Sequence, residues 1–150
     1  MEKKHESSQC LINRFASVLY RCSRSFYDQY LKPYNISSGM HFFLLRINEN
    51  SGITTMELSE KARFDKGTTT RAVKKLERQG YIKITVDDKD KRIRHHYLTE
   101  KAVPVLHASF ESLYQWEKII TSGLEKPQIK QAEELMRKIA ENAYQYIKGI

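Results

Sequence analysis

The stretch from Thr54 to Leu98 changes its hydrophobic period at one glycine, and that change limits what the chain can fold into. Before Gly80, Thr69, Ala72, Val73 and Leu76 recur at the three- and four-residue spacing of one helix face. After it, Ile82, Ile84 and Val86 alternate as in a half-buried strand. The spacing predicts a helix over about 66–79, with Asp65 as its N-cap and Gly80 just past its end. A shorter helix is predicted over about 55–63, because Thr54 and Glu57 have capping-box spacing. Two short helices joined this closely make a helix-turn-helix. Asp87 to Lys91 is then a polar turn, and Ile93 to Leu98 holds bulky residues that favour a returning strand. A helix-turn-helix followed by a two-stranded hairpin is a winged helix.

Long amphipathic segments flank this unit. Leu11, Phe15, Val18, Cys22, Phe26 and Tyr30 form the apolar stripe of a first helix that Pro33 ends. Ser37 is the expected N-cap of a second helix with Met40, Phe43, Leu44 and Ile47 inside. Thr99 is expected to cap a long helix carrying Val103, Leu106, Phe110, Leu113 and Ile120 on one face, with Pro104 in its first turns and Gly123 after its end. Pro127 opens the last helix, whose stripe is Ile129, Ala132, Met136, Ile139, Ala143 and Tyr146. The fold class is therefore mainly α with a small β-hairpin wing. Residues 35–102 form the winged helix-turn-helix domain, and 1–34 with 103–150 form a helical dimerisation region. The flanking apolar faces are too long for so small a unit to cover, so a symmetric homodimer is expected.

Charge points to the partner. The chain carries a net charge of +8, but Lys61 to Lys101 holds thirteen Lys/Arg against six Asp/Glu, a net of +7, while the other 109 residues hold thirteen against twelve, a net of +1. Such localisation is the electrostatic footprint of a polyanion binder, here double-stranded DNA. On the helix of 66–79, Gly67, Arg71, Lys74 and Arg78 lie opposite the core face, with Thr70 and Lys75 at its margins. The thin first turn at Gly67 and Thr68 lets the backbone approach DNA, and its N–H groups favour a phosphate. Arg71 can pair bidentately with guanine, and the Thr68 and Thr70 hydroxyls can reach bases or phosphates. Lys74, Lys75 and Arg78 suit phosphates. In the hairpin turn D-K-D-K-R, Asp90 and Arg92 lie on one side of an extended chain, so Asp90 can aim Arg92 at a narrow minor groove. An ordinary solvated helix face and a solvated turn are the plainer alternatives.

Other classes find less support. MEKKHESSQ has no apolar core, so no signal peptide is expected, and no apolar run approaches the roughly 20 residues needed to span a bilayer. A cytoplasmic protein follows, in which Cys10 and Cys22 are free thiols. There is no paired nucleophile and base, no Gly-rich phosphate loop, no HExxH and no CxxC, so no enzyme is expected and no cofactor. The runner-up is a winged helix used for protein contact or nonspecific nucleic-acid packaging.

T-x-x-E-L from Thr54, T-T-T-R-A-V-K-K-L-E-R-Q-G-Y-I from Thr68, D-K-R from Asp90 and L-T-E-K-A from Leu98 together resemble the MarR family of bacterial transcription regulators. The resemblance implies a homodimer on a roughly palindromic operator, usually a repressor released by a small ligand or oxidant. It implies that Thr68, Thr70 and Arg71 read the major groove, that Lys74 and Lys75 lie near the backbone, and that Arg92, anchored by Asp90, enters the minor groove. Three positions depart from the family pattern: Gly67 stands in place of Ser, Ile84 in place of Arg, and Ala102 in place of Gly.

Three effector readings remain open. An organic ligand can lie in a crevice lined by Tyr20, Tyr27, Tyr30, Tyr34, His41, Phe42 and Trp116. An oxidant can act on Cys10 or Cys22, although Ala16 occupies the position of the cysteine in the redox-sensing branch. Zinc is suggested by His41 and by Ala102-Val103-Pro104, which resemble the zinc-sensing branch. No complete metal-ligand set is visible, since His107 is the only histidine in the long helix and His95 and His96 point to opposite faces of a strand.

Overall fold

The structure, a computed structural model, describes residues 11–150. Cys10 therefore lies outside the described residues. Its elements run α1 (Leu11–Leu31), a 3-10 turn (Lys32–Tyr34), α2 (Ser38–Glu49), β1 (Ile53–Thr54), α3 (Thr55–Ala62), α4 (Lys66–Arg78), β2 (Ile82–Val86), β3 (Arg94–Leu98), α5 (Ala102–Ile120) and α6 (Lys126–Lys148). None of the described helices is long and apolar enough to cross a membrane.

The core is built on α2. Seven of its residues are buried: Ser38, Met40, His41, Phe43, Leu44, Leu45 and Ile47. Around it close Tyr27 and Leu31 of α1, Leu58 of α3, Val73 and Leu76 of α4, Ile53 and Ile82 of the sheet, and Val105 and Leu106 of α5. Each such side chain, fully buried, contributes about 1.5–3 kcal/mol from its transfer out of water.

The start of α2 is where expected but is held by a different group. Ser37 has extended N-cap backbone angles, yet its side chain makes no capping bond. Instead the Ser38 amide donates to Asp28 Oδ1 at 2.6 Å, from the preceding helix. A carboxylate at the positive end of α2 also complements the helix dipole.

The helix-turn-helix follows its local signals. Thr54 and Glu57 form a full capping box, and Asp65 caps α4 by accepting from the Thr68 amide. At the other end of α4, Gly80 takes φ +80, while the Gly80 amide donates to Glu77 O and the Tyr81 amide to Leu76 O. That is a Schellman termination, which favours a residue without a Cβ.

Three expectations are corrected. The wing is not a bare hairpin: β1 joins it, giving the antiparallel order β1-β3-β2 with Ile53 opposite His96 and Ile84 opposite His96 on the other side. Thr99 does not cap α5. Its hydroxyl donates to Gly80 O at 2.5 Å, Lys101 Nζ donates to Gln79 O at 2.6 Å, and Lys101 is the N-cap residue. These contacts join the start of α5 to the carbonyl end of α4. Finally, α5 buries Ala102, Val105, Leu106, Ser109 and Ser112, whereas Val103 and Phe110 are each 48% exposed. Small residues let α5 approach its neighbours closely; Leu106 and Leu113 of the expected stripe do pack on the core, while Val103 and Phe110 face away.

The last helix buries no residue at all. Met136, Ile139 and Tyr146 of its expected stripe are exposed in the single chain. A tie to the rest of the chain comes from Arg63, whose Nη2 donates to Glu141 Oε2 at 2.7 Å and whose guanidinium lies 3.9 Å from the Tyr144 ring centroid. Arg63 is also the C-cap of α3, with a left-handed φ of +57.

Removing the true cap of α2 is expected to be the costlier change. Asp28→Ala should lower stability by about 1 kcal/mol, while Ser37→Ala should leave it nearly unaltered. Chemical denaturation of both variants checks this, and an equal loss in both would contradict the assignment.

Candidate nucleic-acid interface

The candidate surface has two parts, the outward row of α4 and the tip of the wing. Along α4 the sequence places Thr69, Ala72, Val73 and Leu76 inside; Thr69, Val73 and Leu76 are buried and Ala72 is half-buried. Lys66, Gly67, Arg71, Lys74, Lys75 and Arg78 are exposed. After the Asp65 cap no acidic residue lies in the first turn, and Lys75 and Arg78 lie in the last, favourably placed against the dipole.

The first turn is more occupied than its sequence suggests. Asp65 Oδ1 accepts from the Thr68 amide at 2.8 Å, and Asp65 Oδ2 accepts from the Thr68 hydroxyl at 2.5 Å. Thr68 Oγ1 in turn accepts from Arg71 Nη2 at 3.2 Å. The Thr68 amide is thus not free for a phosphate. These bonds pull the Asp65 carboxyl below its usual range, first through the Thr68 hydroxyl and then through its amide. Arg71 is leaned toward the N-terminus of α4 by the same contact. A Cβ at Gly67 would meet Asp65 Oδ1 at 3.2 Å, so a glycine there leaves the cap undisturbed.

In the wing, Asp90 takes hold of Arg92 at three points. Its Oδ1 accepts from the Arg92 amide at 3.0 Å and from Nε at 3.1 Å, and its Oδ2 accepts from Nη2 at 2.9 Å. The Arg92 side chain is nonetheless 89% exposed, so its outer face is open to a partner. Its bonds to Arg92 hold the Asp90 carboxyl below the usual carboxylate range. Arg94 closes the turn from behind by donating to Lys91 O at 2.6 Å.

Between α4 and the wing stem lies a hollow of about 240 Å³ lined by Thr70, Lys74 and Glu77 from α4 and Ile84, Val86, Arg94 and His96 from the sheet. Thr70 and Lys74 thus face the wing side of α4. His95 and His96 do point to opposite faces. His96 is fully buried with Nδ1 on Ile53 O, while His95 lies outside, between Gly52 O and Asp87. The role of His95 and Asp87 as a pair was not visible in the sequence, because it depends on the hairpin register that sets Thr85 opposite His95.

The proposed effector residues are not all brought together. Tyr27, His41, Phe42 and Trp116 cluster with Phe26 and Tyr30: the His41 ring lies 4.7 Å from Tyr27 and 4.1 Å from Phe42, and Phe26 lies 5.1 Å from Trp116. Tyr34 lies at the edge of the core, and its carbonyl accepts from the Tyr81 hydroxyl. Tyr20 stands apart, 61% exposed on α1. Cys22 is exposed. His41 is fully buried, and neither of its ring nitrogens has a partner. Burial lowers its pKa to about 4 despite the opposing pull of Asp28.

The fold and its basic face define a winged helix-turn-helix. The MarR family model matches residues 38–93. The chain is 31% identical over 140 residues to the uncharacterized HTH-type transcriptional regulator YybA of Bacillus subtilis, covering 91% of this chain and 93% of that one. A solved MarR protein from Peptoclostridium difficile superposes with a TM-score of 0.88 at 29% identity, covering 97% of this chain and 94% of that one. A MarR family regulator from Listeria monocytogenes, solved in complex with a 26mer DNA, superposes with a TM-score of 0.82 at 25% identity, covering 91% and 93%. The chain therefore belongs to the MarR family of transcriptional regulators.

The buried imidazole makes a stability prediction. Between about pH 6.5 and 4 the unfolded chain binds a proton at residue 41 that the folded chain refuses. Stability should rise with pH across that window. His41→Phe should flatten the slope, leaving the smaller part due to His96, whose pKa burial also lowers. Urea unfolding in pH steps from 4 to 7 measures this; an unchanged slope in the variant would refute it.

Proposed function

We propose that this protein is a sequence-specific DNA-binding repressor that acts as a homodimer on a palindromic operator. The observation that carries the reading is Arg92: an almost fully exposed guanidinium, gripped by Asp90 at the wing tip of a fold whose helix α4 exposes Lys66, Arg71, Lys74, Lys75 and Arg78. A pre-oriented arginine loses less freedom on binding than a free one. Arg71 reads base edges in the major groove, assisted by Thr70, while Lys74, Lys75 and Arg78 contact phosphates. Arg92 enters the minor groove. Gly67 allows close approach of the backbone, and Thr68 serves chiefly to orient Arg71.

Dimerisation is supported by what α1, α5 and α6 leave uncovered. Leu11, Phe15 and Val18 on α1, Val103 and Phe110 on α5, and Leu135, Met136 and Ile139 on α6 are all exposed in the single chain. Apolar surface of this extent on three helices marks an interface. The dimerisation region is α1 with α5 and α6, and 35–102 is the DNA-binding unit. Release by a small organic effector is the reading favoured by the His41 cluster, where buried nitrogens without partners adjoin aromatic rings packed at a tilt.

Selection of bound duplexes from a random pool, repeated with zinc and with peroxide, tests the function. One inverted repeat should emerge, with half-sites about 10 bp apart; equal recovery of all duplexes would leave only a nonspecific binder. On the selected duplex, Arg71→Ala should cost about 1–3 kcal/mol and relax one base position. Arg92→Ala should weaken binding most where the flanks are A·T-rich, and an unaltered affinity on every flank would remove the wing from the interface.

A further inference from the structure

The wing is held at its base by a histidine whose bonding leaves one protonation state. His95 Nδ1 lies 2.8 Å from Gly52 O, and Nε2 lies 2.8 Å from Asp87 Oδ1. A backbone carbonyl and an ionised carboxylate only accept hydrogen bonds. A neutral imidazole has one donor and one acceptor nitrogen, so it would set a lone pair against one of these oxygens. Both bonds form only when both nitrogens carry protons. The other Asp87 oxygen, Oδ2, accepts from the Lys89 and Asp90 amides, each at 2.9 Å. Asp90 in turn grips Arg92.

We propose that His95, as the imidazolium, is a positioning residue for the wing: it anchors Asp87 to the carbonyl of Gly52, and through Asp87 it sets the 87–92 turn that presents Arg92. The proposal rests on the reading of Arg92 as a DNA contact. It makes the minor-groove contact dependent on pH, because a neutral ring can donate to only one of Asp87 and the Gly52 carbonyl, so loss of one ring proton parts the wing turn from Gly52.

The surroundings favour the cation. Asp87 faces the ring from the turn, and Glu57 adds negative potential from α3. The strand partners of His95, Thr54 on β1 and Thr85 on β2, are uncharged. His96 has its ring on the opposite, buried face, and burial lowers its pKa. Arg94 is turned to Lys91 O. Accordingly the His95 pKa is raised, first by the bond to Asp87 and then by the Gly52 carbonyl. The Asp87 pKa is lowered to about 2, first by the Asp90 amide and then by His95. For the raised histidine, the clasp is complete below about pH 6.5 and is lost as pH rises through the folded pKa; for the lowered aspartate, it is complete above about pH 4 and is lost as pH falls toward the folded value.

The test uses the full chain and two measurements. Nitrogen-15 NMR should find both His95 ring nitrogens protonated at pH 6, with a midpoint above 6.5. The Lys89 and Asp90 amides should titrate with that same midpoint, and Asp87→Asn should lower it. One unprotonated ring nitrogen at pH 6, or amides that ignore the ring, would overturn the proposal without reference to DNA. Binding to the selected duplex at fixed salt should then weaken from pH 6 to 9 by about two- to fivefold more in the wild type than in His95→Phe, the scale of an exposed ion pair. Arg92→Ala should erase that difference. Identical pH profiles for wild type and His95→Phe, with Arg92 still required for binding, would overturn the positioning role. Wild-type affinity in Arg92→Ala, with the NMR titration as expected, would instead sink the wing contact while leaving the clasp in place.

Discussion

The burial of α2 is the constraint on which the rest of the structure depends. Its buried residues meet α1 and α5 on one hand and α3, α4 and the sheet on the other, so no element of the helix-turn-helix can move far without disturbing the flanking helices. Close-packed cores transmit displacement because they have few voids to absorb it. The Asp28 cap adds a polar bond to the same joint, between α1 and the first amide of α2. His41 is a costly member of this core. A buried polar group without a partner costs about 1–3 kcal/mol, and here both ring nitrogens are in that condition.

How much of this could be read from the residues follows from the range of each signal. The helix-turn-helix was legible because its determinants are local: Thr54 with Glu57, Asp65 with Thr68, and Gly80 with its Schellman bonds all act within a few positions. The outward row of α4 and the Asp90–Arg92 pair were legible for the same reason. β1 is not legible in the sequence because two residues carry no period, and only its pairing with β3 identifies it. Ser37 is the N-cap residue of α2 as its sequence suggests, but the capping bond is not legible there because Asp28, which makes it, stands ten residues away on another helix. On α5 the apolar stripe is only partly right: Leu106 and Leu113 pack on the core, but Val103, Phe110 and Ile120 are exposed, since close packing there also uses Ala102, Ser109 and Ser112. The His95 clasp combines hairpin register with a count of donors and acceptors, neither of which is written in spacing alone.

The two parts of the candidate surface share one design. In each, an aspartate is placed among cations, and its work is local. Asp65 organises the first turn of α4 through Thr68, with Arg71 bonded to the same hydroxyl, and Asp87 and Asp90 organise the wing turn around Arg92. The acidic residues of a basic segment therefore reduce its net charge while limiting the orientations of the arginines that carry it. Arginine suits this arrangement because its planar fork bonds a carboxylate on one edge and remains open on the other.

Arg63 ties its sequence position to a remote one. A left-handed φ at a residue with a full side chain costs about 1–2 kcal/mol. The contacts that oppose this cost, an exposed ion pair to Glu141 and a stack on Tyr144, are of comparable size. Position 63 is therefore not free to vary alone. With Glu141 and Tyr144 in place an arginine is tolerated there; without them glycine becomes the better residue. Among related chains, positions 63, 141 and 144 should change as a set, so that the turn of the helix-turn-helix and the last helix share one evolutionary record.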